Sequence, residues 1–206
     1  QINPEQIELR YFGVLTKIFN VGRFASQFDF EADLDKIPDN LENEDKWILA
    51  EFSELLEKAK KGYSDLDIYT AAQGIKTFST GIFASHWLEM AKTRLYNEDA
   101  SATWTLHRIF RDLLSILSPI CPFFTHHLST TLYEKSSVEV DVFPESPITD
   151  TQSWTEKTDD LVEFNSVVWK AKKDAGVSLA APISGHNVPS SLKEIEAALV
   201  AMHKLE

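Results

Sequence analysis

A chain of 206 residues, 43% of them hydrophobic, can bury one sizeable core, or one core and a small satellite. Its formal net charge of −12 excludes a broad basic surface for nucleic acid, because such binding rests on neutralising phosphates. The single cysteine, Cys121, excludes an internal disulfide framework and fits a reducing cytosol.

The first predicted helix runs from about Pro4 to Phe28, with Pro4 suited to its first turn. At roughly 100° per residue, Ile7, Tyr11, Val14, Leu15, Ile18, Val21, Gly22 and Ala25 share a broad apolar stripe. Gly13, Lys17, Asn20 and Phe24 form a narrower stripe about 120° away. A phenylalanine off the core face needs a partner, either a neighbouring helix or a ligand. The acidic stretch "DFEADLDKIPDNLENED" follows, broken by Pro38, and reads as a solvated linker.

A second helix, about Asn43–Gly62, carries Trp47, Leu49, Phe52, Leu55, Leu56 and Ala59 at helical spacing, with Gly62 as its stop signal. The third, about Asp67–Tyr96, aligns Ala71, Ile75, Phe78, Phe83, His86 and Met90. Glu89 falls on that stripe and is therefore expected to be buried and paired. Leu88 is expected to face away from it, with Ala84, Ala91 and Leu95, and with Lys92 nearby. The fourth helix begins near Ser101 and is interrupted by Pro119 and Pro122, and another runs from Phe123 to Tyr133.

These segments predict a mainly α protein in which residues 1–135 form an up-and-down helical bundle. Residues 136–206 read as a linker and a small C-terminal α/β subdomain. There "SVEVDVFPE" alternates as a strand does, a helix ends on Gly176, "VSLAAPISGHNVP" supplies a possible second strand, and a last helix covers about Ser190–His203. No apolar run approaches the roughly 18–20 residues that span a bilayer, and no signal peptide is recognisable, so a cytoplasmic location with no membrane partner is expected.

The scattered glycines make neither G-x-G-x-x-G nor a P-loop. His126 and His127 are adjacent and on a helix point about 100° apart, so they cannot share one metal ion. No catalytic residue, metal site or resident cofactor is therefore expected. Base exceeds acid only in Gln1–Ser26 (+1) and Ile68–Arg111 (+2), so any nucleic-acid site is local.

Five stretches, in order, resemble the C-terminal part of valyl-tRNA synthetases of the archaeal type. "KIFNVGRFAS" is similar to the family pattern N-K-L-W-N-A-x-R-F, and "DKWILAEF" to D-x-W-I-L-x-x-L. "HWLEMAKTRLY" is similar to D-W-Y-L-E-x-x-K-x-R-L-Y, and "LLSILSPICPFFTHHL" to L-L-x-L-L-x-P-x-x-P-F-x-T-E-E. "WKAKKDAGVSLAAPI" resembles W-K-x-K-x-x-x-G-x-S-L-x-x-P-I, the segment that favours the valyl over the isoleucyl enzymes. His126 and His127 replace the family's usual acids, and Gly22 its usual alanine.

The resemblance implies an anticodon-binding helical bundle of class I synthetase type. Its parent joins valine to tRNA with ATP and Mg²⁺, through catalytic and editing domains upstream. It also implies that Lys17, Arg23, Phe24 and Leu88 contact the anticodon loop of the valine tRNA, whose last two anticodon bases are A and C. Asn20, on the same stripe, can donate and accept hydrogen bonds, and Lys92 lies beside Leu88. Splayed anticodon bases are captured by stacking and edge hydrogen bonds, the chemistry that an aromatic ring, an amide and cations supply. The alternatives are the equivalent isoleucyl domain and a non-synthetase helical scaffold. For the side chains, the competing readings are Phe24 packed on a neighbouring helix and Arg23 paired with an acid of the following loop.

Overall fold

The computed structural model describes residues 12–30, 33–133 and 142–206. Helix α1 spans Gly13–Ala25, α2 Asn43–Ser64 and α3 Ile68–Thr77. A π-helical segment, Phe78–Trp87, leads directly into α4, Leu88–Tyr96. Helix α5 spans Ala100–Leu117 and α6 Pro122–Tyr133. The C-terminal part holds α7 (Gln152–Thr155), α8 (Thr158–Asp174), a 3₁₀ turn (Ser190–Ile195) and α9 (Glu196–His203). The predicted Pro4 start of α1, with Ile7 and Tyr11, lies outside the described residues.

The chain is mainly α. Helix α5 is the centre of the bundle, buried almost all round from Ser101 to Phe110. Asp99 caps it by accepting from the Ala102 amide at 2.8 Å. The apolar stripe of α1 falls as its periodicity dictates: Ile18, Val21, Gly22 and Ala25 are buried. Gly22 permits a close approach, since a Cβ there would stand 3.0 Å from the ring of Phe110, itself fully buried.

Gly62 does not stop α2; the helix runs on to Ser64. A Cβ at Gly62 would meet the Asp67 carbonyl at 3.0 Å and Ala71 at 3.2 Å, so glycine serves the tight α2–α3 turn. The stop comes from Leu66, which takes a left-handed conformation with φ 58°. Asp67 then caps α3, accepting from the Thr70 amide at 3.1 Å.

The predicted third helix is one continuous rod of three parts, and the π segment shifts its faces. Its i→i+5 bonds put more residues in each turn than an α-helix has, so a wheel drawn at 100° loses phase across it. Beyond it Trp87, Leu88, Met90, Ala91 and Leu95 are buried. Helix α4 is also covered on two sides, by α5 and by α9. Glu89, expected in the core, is instead half-exposed, although paired as expected, with Lys92 at 2.6 Å.

The acidic stretch after α1 is more than a solvated linker, since Leu34 and Leu41 are buried. Arg111 reaches Asp35 at 2.8 Å, and Arg108 donates to the Leu34 carbonyl at 2.9 Å.

Among its described residues the tail lacks the expected strand pairing. Residues 137–141 of "SVEVDVFPE" lie outside the described residues, and Val142–Glu145 has no regular structure. Among the described residues, β structure is one isolated parallel bridge between Ile183 and Leu205. Pro182 lacks an N–H and Gly185 turns the chain at φ 80°, so a strand cannot extend on either side. The helix predicted to end on Gly176 closes there in a Schellman motif: Val177 donates to the Lys172 carbonyl at 3.0 Å, Gly176 to that of Lys173 at 2.9 Å, with φ 68° at Gly176.

Bundle and tail share one buried cluster that includes Leu161, Phe164, Val168, Leu192, Ile195 and Leu199. Buried polar contacts fix the seam. Trp47 Nε1 donates to Thr158 Oγ1 at 2.9 Å. Asn165 donates to His86 Nδ1 at 2.9 Å and accepts from His203 Nε2 at 2.8 Å. Lys172, fully buried, donates to the carbonyls of Leu179 and His203, both at 2.8 Å.

Candidate nucleic-acid interface

The structure separates the six predicted contact residues. Lys17 is half-buried, its Nζ donating to the Thr80 carbonyl and to Ser85 Oγ at 2.9 Å, both in the π segment. Burial lowers its pKa from the ordinary lysine value. An ammonium has three N–H groups, so one remains for a ligand. The lysine is thus a positioned cation and not a loose surface one.

Asn20 and Arg23 are exposed. Among the described residues no acid of the following loop pairs with Arg23, and its guanidinium has no partner there. Its five donors face solvent from the last turn of α1.

Phe24 has protein partners. It is half-buried and meets Phe28 edge-on, with ring centroids 4.9 Å apart, and Tyr96 at 6.1 Å. Phe28 and Tyr96 lie 5.5 Å apart, so the three rings form one cluster where α1 and α4 end. Phe24 thus packs on a neighbouring helix, within an aromatic group in which Tyr96 is 63% exposed.

Leu88 requires a correction. It is 6% exposed and part of the core, so its side chain does not stand on an open face. The phase slip through the π segment explains the difference. Lys92 remains half-exposed beside Glu89. Lys17 and Lys92 line one cleft of about 730 Å³; Asn20, Arg23 and Phe24 do not line it.

Most of the positive excess in 68–111 is consumed inside the protein. Arg94 pairs with Glu44 at 2.8 Å, Asp45 at 2.7 Å and Asp99 at 2.8 Å. Arg108 pairs with Asp112 at 2.6 Å, and Arg111 with Asp112 at 2.9 Å. Arg94 ties α4 to α2, and Arg108 and Arg111 tie the loop at Leu34 and Asp35 to α5, so these guanidiniums are engaged within the protein. Sequence reasoning missed Tyr96 beside Phe24, and Trp169 and Lys204 in the cleft with Lys17. Tyr96 closes a recognised motif and was readable. The cleft depends on where the tail docks, and no local pattern reports that.

No helix among the described residues is long and apolar enough to cross a membrane. The family model for the anticodon-binding domain of tRNA ligase matches residues 45–186. The chain is 36% identical to a valine–tRNA ligase of Aeropyrum pernix, over 92% of this chain and 24% of that protein. It is 34% identical to that of Saccharolobus solfataricus, over 83% of this chain and 20% of the relative. To that of Sulfurisphaera tokodaii it is 36% identical, over 64% of this chain and 16% of the relative. The chain thus spans about a quarter or less of the curated relatives it matches. Together with a helical bundle that leaves a cation and an aromatic cluster on its surface, these matches place the chain in the family of anticodon-binding domains of tRNA ligases.

Proposed function

We propose that the chain holds the anticodon end of the valine tRNA for a valine–tRNA ligase. The observation that carries this reading is Arg23: an exposed guanidinium with no partner among the described residues of an acidic protein, next in sequence to Phe24 of the Phe24–Phe28–Tyr96 cluster. Arginine donates to base edges and phosphates, and aromatic rings stack on unstacked bases. Exposed Asn20, one turn away, adds a group that donates and accepts. The relatives named above, all valine–tRNA ligases, favour valine over isoleucine.

On this reading residues 1–135 meet the tRNA and residues 136–206 brace them. The partners are the valine tRNA and the parent's catalytic and editing domains. ATP and Mg²⁺ serve ligation in those domains, and the parent works in the cytoplasm. No step of the ligation is assigned to this chain's residues.

Arg23 gives a cleaner test than Phe24, whose truncation would also disturb Phe28 and Tyr96. In the parent ligase, Arg23→Ala should raise the KM for the valine tRNA about tenfold or more, the effect of losing a charged hydrogen bond of roughly 1.5–3 kcal/mol. Valine activation without tRNA should be unchanged. An unaltered KM for tRNA would refute the assignment of Arg23.

A further inference from the structure

The cleft that holds Lys17 has two walls of different origin. One comes from the bundle, with Lys17, Ser85, Glu89 and Lys92; the other comes from the tail, with Trp169 of α8 and Lys204 just past α9. Three cations against one carboxylate leave this cleft with a charge of +2 on a chain of net charge −12. Lys92 already neutralises Glu89, whereas Lys204 is exposed and makes no ion pair among the described residues. Lys17 is held in place by Thr80 and Ser85 with an N–H to spare. The tail wall is itself pinned, because buried Lys172 ties the Leu179 and His203 carbonyls together. Lys17 and Lys204 both lie outside residues 45–186, the span of the family match.

We propose that this cleft takes the phosphodiester backbone of a single-stranded RNA segment, with Lys204 as a phosphate contact supplied by the tail. The assignment rests on the tRNA-binding reading above and extends the contact surface to the chain's last residues. Charge complementarity selects the ligand: a polyanion is the one class that a +2 cleft attracts to a protein otherwise strongly negative. The cleft has a volume of about 730 Å³, and Trp169, half-exposed, is among the residues that line it. A phosphate contact carries no sequence information, so Lys204 should strengthen binding of all tRNA sequences alike.

The test measures affinity of the whole chain for a valine-tRNA transcript, and for the same transcript with altered anticodon bases, across a salt series. Lys204→Gln should weaken both by the same factor, about two- to fivefold, the worth of an exposed ion pair. It should also reduce the log–log salt slope by about 0.7. Lys204→Arg should restore both values, and the melting temperature should not change. If the wild type binds and Arg23→Ala weakens it, while Lys204→Gln leaves affinity and slope unaltered, the cleft is not a phosphate site and the tRNA reading stands. If the wild type binds neither transcript, both proposals fall together.

Discussion

Replacing Asp45 by alanine should cost about 3–5 kcal/mol of stability, the penalty for breaking a buried ion pair by removing one partner. Asp45 is fully buried on the first turn of α2, yet each of its oxygens accepts two hydrogen bonds. Oδ1 accepts from Trp87 Nε1 at 3.0 Å and from Arg94 at 3.0 Å. Oδ2 accepts from Arg94 at 2.7 Å and from Ser101 Oγ at 2.6 Å. One carboxylate therefore joins α2, the π segment, α4 and α5. Asn is a poor substitute: with its NH₂ on the Oδ1 side it meets two donors, Trp87 and Arg94, and on the Oδ2 side it meets Arg94 even where Ser101 Oγ turns to accept, so Asp45→Asn should also destabilise, by less than Asp45→Ala. Removing Asp65, whose bridge to Lys61 lies in solvent, should change nothing measurable. Urea midpoints of the three variants, read with a common slope, check the ranking.

Acid should destabilise the protein through the seam between bundle and tail. His203 is fully buried, and its Nδ1 has no hydrogen-bond partner among the described residues. Its Nε2 donates to Asn165, so the neutral imidazole fits and a proton on Nδ1 would have nothing to meet. Burial, and then the nearby charge of Lys172, push its pKa down from 6.5 to about 4. His86, across Asn165, is lowered too, chiefly by burial. The unfolded state then binds more protons than the native state below pH 6.5. His203 thus contributes its full stability above that pH, and loses it progressively as pH falls towards 4, by roughly 3 kcal/mol in all. Glu44 and Glu51 act in the opposite sense, since burial raises their pKa values and acid favours their native form. The difference between wild type and His203→Gln cancels them. That difference should shrink as pH drops from 6.5 to 4; a constant difference would show that His203 titrates normally.

The sequence resolved what repeats locally. The α1 stripe of Ile18, Val21 and Ala25 lies in the core because its 3.6-residue period is undisturbed. Leu88 and Glu89 exchanged places because ten residues of π-helix precede them, and no side-chain pattern marks the change of pitch. From sequence alone Arg108 and Arg111 could face phosphates or merely solvent. Only the fold brings Asp35 and Leu34 back against α5, which binds both arginines and leaves Arg23 in solvent. Trp169 and Lys204 were unreadable as partners of Lys17, since they meet it only after α9 docks on α4 and α8 meets His86 of the π segment. The family motifs proved partly architectural: the Asp of "DKWIL" and the Trp and Arg of "HWLEMAKTRLY" are Asp45, Trp87 and Arg94, one buried network.

The central claim is that the α1 surface around Arg23 meets the anticodon of the valine tRNA. The most direct measurement is the affinity of this chain for the valine-tRNA transcript against transcripts altered in the A and C at the end of the anticodon, with Arg23→Ala in parallel. Wild type should bind the altered transcripts more weakly, by about 1–3 kcal/mol for each base changed, and Arg23→Ala should bind the original weakly and discriminate less. Equal affinity of wild type for all the transcripts would contradict that claim.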